Sequence, residues 1–99
     1  VGARLAIAAS DYFDLDNPGL LFGETRMPQV SRARWAIAHV LKEDIGWGKK
    51  RIGKFLSKDP RAILRAWQRA HELCRSDPLF YDGVEALRKE VFSDSHLRW

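Results

Sequence analysis

No disulfide can form within this chain, because Cys74 is the only cysteine among its 99 residues. Such usage fits a reducing compartment. No apolar run approaches the roughly 20 residues that cross a bilayer, so no membrane contact is expected. The opening VGARLAIAASDYFD is too short and too soon acidic to act as a secretory signal. The expected location is therefore the cytoplasm, in association with the nucleoid. Because the chain begins at Val in place of Met, other domains of a longer protein are expected to lie outside it.

The chemistry-bearing constellations are also missing. His39, His71 and His96 share no metal-ligand spacing with one another or with Cys74. Glu43 and Asp44 are neighbours that diverge on a helix, and the Ser, Thr and His residues form no triad motif. Gly46-Trp47-Gly48-Lys49-Lys50 lacks both the glycine spacing of a phosphate-binding loop and the Ser or Thr that would hold magnesium. The expectation is a non-enzymatic chain with no metal and no cofactor, and a phosphate-loop ATPase is excluded from this segment. Cys74 closes an apolar stripe and reads as an inert, buried thiol.

What is present points to a small folded domain. A 45% hydrophobic content with four Trp and five Phe excludes a disordered chain, and the length suits one domain with a modest core. Charge is unevenly spread. Residues 1–48 carry a net −1 and residues 70–99 a net −2, whereas residues 49–69 hold eight basic side chains and one acidic, a net +7. A single-sign segment inside a folded domain implies an anionic partner.

The pattern predicts an all-α fold, a small helical bundle containing a helix-turn-helix. A first helix is expected over residues 3–13, then a loop rich in turn formers with a short helical turn at Leu20 to Phe22. Ser31 is expected to cap a second helix that runs to about Asp44 and is closed by Gly46 in the left-handed conformation. A short helix from Lys49 to Leu56 buries Ile52, Phe55 and Leu56. Asp59-Pro60 and Asp77-Pro78 each pair a capping carboxylate with a proline that has no amide proton to leave unsatisfied, so each starts a helix. These run to about Arg75 and about Phe92. We divide the chain into an N-terminal helix and loop (1–29), a helix-turn-helix unit (30–92) and a tail (93–99).

The helix after Pro60 has two faces. Ile63, Ala66, Trp67, Ala70, Leu73 and Cys74 make one apolar stripe, and Arg61, Arg65, Gln68, Arg69 and Glu72 fall opposite. Preceded by a short helix and three residues, Ser57 to Asp59, it forms the second half of a helix-turn-helix pattern. Arg61, Arg65, Gln68 and Arg69 are the candidates for base contact, since Arg matches guanine and Gln matches adenine in the major groove. Lys49, Lys50, Arg51, Lys54 and Lys58 are the candidates for phosphate contact. Gly53 is expected to permit close approach of a neighbouring helix, and Trp35 and Trp67 read as core.

The stretch RWAIAHVLKEDIGWGKKRIGKFLSKDPRAILRAWQRA resembles domain IV, the C-terminal DNA-binding domain, of the bacterial chromosomal replication initiator DnaA. Ala38 and Leu41, Ile52-Gly53, Asp59, and Ile63-Leu64 with Ala66 match that family's places in order. The resemblance covers residues 30–92 and includes the closing helix. It departs in the reading segment, where Ser57 and Lys58 replace a glycine-arginine turn and Pro60, Arg61 and Ala62 replace His-Thr-Thr. The resemblance thus implies the family's fold and docking mode, with Lys58 on a phosphate, and not its target sequence.

The function expected is double-stranded DNA binding for transcription regulation, of the kind a phage or a gene-transfer-agent system would use. The alternatives are origin binding and a protein-interaction module whose basic face binds an acidic partner such as an RNA polymerase subunit. The acidic, aromatic stretch SDYFDLDNPGLLF suits such protein contact. RNA binding is weaker, since no aromatic motif of the common RNA modules is present.

Overall fold

A computed structural model describes residues 2–96, of which 93–96 by backbone alone. Among them there are five α-helices and no strand: α1 (Gly2–Tyr12), α2 (Pro28–Val40), α3 (Lys49–Leu56), α4 (Pro60–Ser76) and α5 (Pro78–His96). A 3-10 turn, Pro18–Phe22, precedes α2, and a π turn, Leu41–Ile45, extends it.

α2 is the central helix because its sequence lets three neighbours approach it. Ala33, Ala36 and Ala38 are fully buried with Val30, Ile37, Val40 and Leu41, and small side chains on several faces admit α1, α4 and α5 around one axis. α4 contributes Ile63, Ala66 and Ala70, and α5 contributes Phe80, Val84 and Leu87. The remaining apolar members of the expected α4 stripe, Trp67, Leu73 and Cys74, are half-buried at its edge. Burial pushes the Cys74 thiol above its ordinary value.

Local chemistry explains the boundaries, including those that differ from expectation. α2 starts four residues earlier than a Ser31 cap requires: Met27 holds the cap position, Pro28 is the first helical residue, and the Ser31 amide donates to the Met27 carbonyl at 3.0 Å. Proline's fixed φ suits the first helical position, so Pro28 is a helix start and not a loop residue. Gly46 closes the π turn at φ 89° as expected. Asp77 Oδ1 accepts from the amides of Leu79 and Phe80, and Asp77 Oδ2 also pairs with Arg32 at 2.8 Å, tying the start of α5 to α2.

The boundary drawn after residue 29 does not separate two packing units. Leu5, Ala6, Ala9 and Leu21 belong to the same core as α2 to α5. Phe22 meets Phe55 edge-on at 5.3 Å, and Phe13 meets Phe80 at 6.2 Å. The C-terminal boundary also moves: α5 continues to His96, and residues 97–99 of the expected tail lie outside the described residues.

Gly53 makes room for backbone, and the neighbour is the α3–α4 turn more than a helix. A β-carbon there would stand 2.6 Å from the Lys58 carbonyl oxygen and 3.7 Å from Ile63 Cγ1. A carbonyl fixed in a tight turn cannot withdraw as a flexible side chain could. Gly53→Ala gains about 1 kcal/mol of helix propensity against an overpacking cost of about 1–3 kcal/mol or more. The expected net result is a loss of about 1–2 kcal/mol, measured by urea denaturation; a rise in stability would show that the turn yields.

Candidate nucleic-acid interface

The α3–α4 connection is built from its own backbone. Ser57 takes the left-handed conformation at φ 56°, which turns the chain at once, and its amide and that of Lys58 both reach the Gly53 carbonyl. Asp59 then opens α4 with Oδ1 accepting from the Arg61 amide at 2.8 Å. The cap leaves the first turn of α4 at the surface, with Asp59 and Arg61 exposed.

The residues expected to touch DNA divide into two groups. Lys49, Lys50 and Lys54 on α3, and Arg61, Arg65 and Gln68 on α4, are exposed, and their side chains engage no partner among the described residues. Arg61, Arg65 and Gln68 follow one another at intervals of four and three, which puts them in one row on the solvent side of α4.

The second group is engaged by the fold. The Arg51 guanidinium lies 3.9 Å from the centre of the Trp47 ring, and that ring packs edge-on against Phe55 at 6.0 Å. Trp47 is thus a plug at the α2–α3 corner, topped by a cation. Arg69 sits 5.8 Å from the Trp35 ring and pairs with Glu72 at 3.3 Å, so its guanidinium leans along α4 toward α2. Lys58 departs furthest from expectation. Its Nζ donates to the Gly23 carbonyl at 2.6 Å, and burial together with the nearby Arg34 cation pulls its pKa below the ordinary lysine value. An ammonium held against a backbone carbonyl ties the turn to the N-terminal loop.

Arg34 is the side chain that sequence reasoning overlooked. It is 8% exposed and meets no carboxylate among the described residues. Instead Nε donates to the Leu21 carbonyl at 2.9 Å, Nη1 to Thr25 at 2.7 Å, and Nη2 to Leu20 at 3.0 Å and Gly23 at 2.7 Å. One guanidinium thereby organises the whole loop ahead of α2, and it shares the Gly23 carbonyl with Lys58. The signal was available: Arg34 falls between Val30, Ala33, Ile37 and Leu41, on the apolar face of a helix where a charge must find partners.

A ring stack closes the α2–α4 seam on its far end. His39 and His71 stack with centroids 6.4 Å apart, and His71 stacks on Trp67 at 5.6 Å. Trp67 Nε1 donates to Glu43 Oε1 at 2.8 Å, and Lys42 Nζ lies 5.3 Å from the Trp67 ring centre. His39 is 8% exposed, and its buried Nδ1 has no hydrogen-bond partner among the described residues. Burial lowers its pKa from 6.5; Arg88 and His71 push the same way, against Glu43 and Asp44. The unfolded chain therefore takes up this proton more readily than the folded one. Stability from this residue is complete above pH 6.5 and is lost as pH falls below it. Replacing His39 with Gln is expected to flatten the decline of the unfolding free energy below pH 6.5, measured by denaturation at a series of pH values. An unchanged slope would assign the decline to other groups.

No family model matches the chain, and no curated protein matches it.

Proposed function

We propose that this chain binds double-stranded DNA through α3 and α4 and serves sequence-specific transcription regulation. The observation that carries the reading is the division of the cations. Arg32, Arg34, Lys42, Arg51, Lys58, Arg69 and Arg88 each answer a carboxylate, a carbonyl or a ring. By contrast Lys49, Lys50 and Lys54 on α3 and Arg61 and Arg65 at the start of α4 have no partner among the described residues and stand together, whereas Arg26, Arg75 and Lys89, likewise unpartnered there, lie one each in the loop before α2, the last turn of α4 and α5. Leaving five like charges together costs self-repulsion that a polyanion removes.

The arrangement suits a duplex. The major groove admits one α-helix, and base edges are read by residues near its start, where Arg61 and Arg65 lie, with Gln68 one turn further. The lysines of α3 precede the turn and supply phosphate contacts that set register. Arg51 and Arg69 remain exposed enough to add charge at the edges, whereas Lys58 supports the turn from within. The alternative, in which the same basic face binds an acidic protein partner, draws on the same cations; the acidic, aromatic N-terminal stretch adds little to it, because Leu21 is fully buried and Phe13, Leu15, Leu20 and Phe22 pack against the core.

Replacing Lys50 or Lys54 with Ala tests the phosphate assignment. Each is expected to weaken all duplexes alike and to reduce the slope of log affinity against log salt by about one unit. A loss confined to one DNA sequence would contradict it.

A further inference from the structure

Beside α5, α1 presents an exposed surface that fits a copy of itself. Leu5, Ala6, Ala9 and Ser10 of α1 face the core, while Arg4, Ile7 and Asp11 are exposed and Ala8 is half-buried. Ile7 is 56% exposed and Tyr12 is 41% exposed. With α5 they bound a groove of about 420 Å³ lined by Arg4, Ile7, Ala8, Asp11, Ala86 and Glu90. An aliphatic side chain over a groove of this size is an unused contact surface.

We propose that α1 pairs with α1 of a second copy, antiparallel about a twofold axis that passes between Ile7 and Ala8. In such a pair residue i stands opposite residue 15 − i, so Arg4 meets Asp11 of the other copy and Asp11 meets Arg4. The two Ile7 side chains meet next to the axis, with Ala8 leaving space for the close approach of the helices. A twofold interface must be complementary to itself, and this stripe meets that condition in both charge and size. Arg4 already has a partner within its own chain, and the five N–H donors of a guanidinium leave capacity for a second carboxylate. Phosphate-seeking cations on α3 and α4 take no part in the seam, so both copies keep their basic faces.

Pairing stands independently of the DNA reading, but its consequence rests on it. A dimer carries two copies of α4 related by a twofold axis, and the DNA site would then be an inverted repeat. Sedimentation equilibrium of the 99-residue chain from micromolar to millimolar concentration is expected to show monomer–dimer exchange. Asp11→Arg, which places two like-charged pairs across the seam, is expected to raise the dissociation constant at least about tenfold. The double exchange Arg4→Asp with Asp11→Arg is expected to recover pairing, which a variant that merely misfolded would not do. A monomer throughout, or an Asp11→Arg variant that pairs as well as the parent, would overturn the proposal. Affinity for a single half-site duplex is expected to be unchanged in Asp11→Arg, and that measurement separates failure of the dimer from failure of DNA binding.

Discussion

Replacing Arg34 with Leu is expected to remove about 3–5 kcal/mol of folding stability. The side chain is buried and gives four hydrogen bonds, at 2.7 to 3.0 Å, to the carbonyls of Leu20, Leu21, Gly23 and Thr25. Bonds from a charged donor contribute about 1.5–3 kcal/mol each, and an orphaned buried carbonyl costs about 1–3 kcal/mol. The four act as one unit, so their sum overstates the loss, and part of the gain is already offset by desolvating the cation. That burial cost shows in the Arg34 pKa, which lies below the ordinary value. Arg34→Lys keeps the charge but loses the fork, so it is expected to recover less than half of the difference. Urea denaturation measures both variants. A loss under about 1 kcal/mol for Arg34→Leu would mean that the loop holds its shape without the guanidinium.

The double replacement Arg61→Ala with Arg65→Ala is expected to cost about 2–6 kcal/mol of binding to a preferred duplex, since each bidentate base contact is worth about 1–3 kcal/mol. Discrimination between duplexes should fall with it, while the shared electrostatic affinity declines by less. Neither side chain has a partner among the described residues, so stability should stay within about 0.5 kcal/mol. This separates reading from folding. Fluorescence-anisotropy titrations of the selected and a random duplex give both quantities. Equal loss on the two would reassign Arg61 and Arg65 to phosphates.

Elements announced by local chemistry were legible before the structure. The aspartate-proline pairs mark the starts of α4 and α5, Gly46 marks the end of the π turn, and α3 spans Lys49–Leu56 as its pattern indicates. These signals need only neighbours in sequence. Harder to read were roles that depend on what the fold brings close. Lys58 looks like every other lysine of its segment until the Gly23 carbonyl, 35 residues away, is placed at 2.6 Å. Arg34 betrays itself by sitting on an apolar face, but its four acceptors lie in a loop whose shape the pattern does not give. Gly53 was recognised as a close approach, yet its nearest neighbour is a turn carbonyl, with Ile63 of the neighbouring helix α4 more than 1 Å further off. The candidate site was therefore visible as a set of cations. Which of them are free could be sorted only in three dimensions.

The most direct test of the central claim is a titration of the 99-residue chain with random double-stranded DNA across a salt series. The three lysines of α3 and Arg61 and Arg65 at the start of α4, unpartnered among the described residues and each releasing about 0.9 counterion, predict a linear fall of log affinity with log salt at a slope of about −4.5. Binding absent at low salt, or insensitive to salt, would contradict the assignment of α3 and α4 to the DNA backbone.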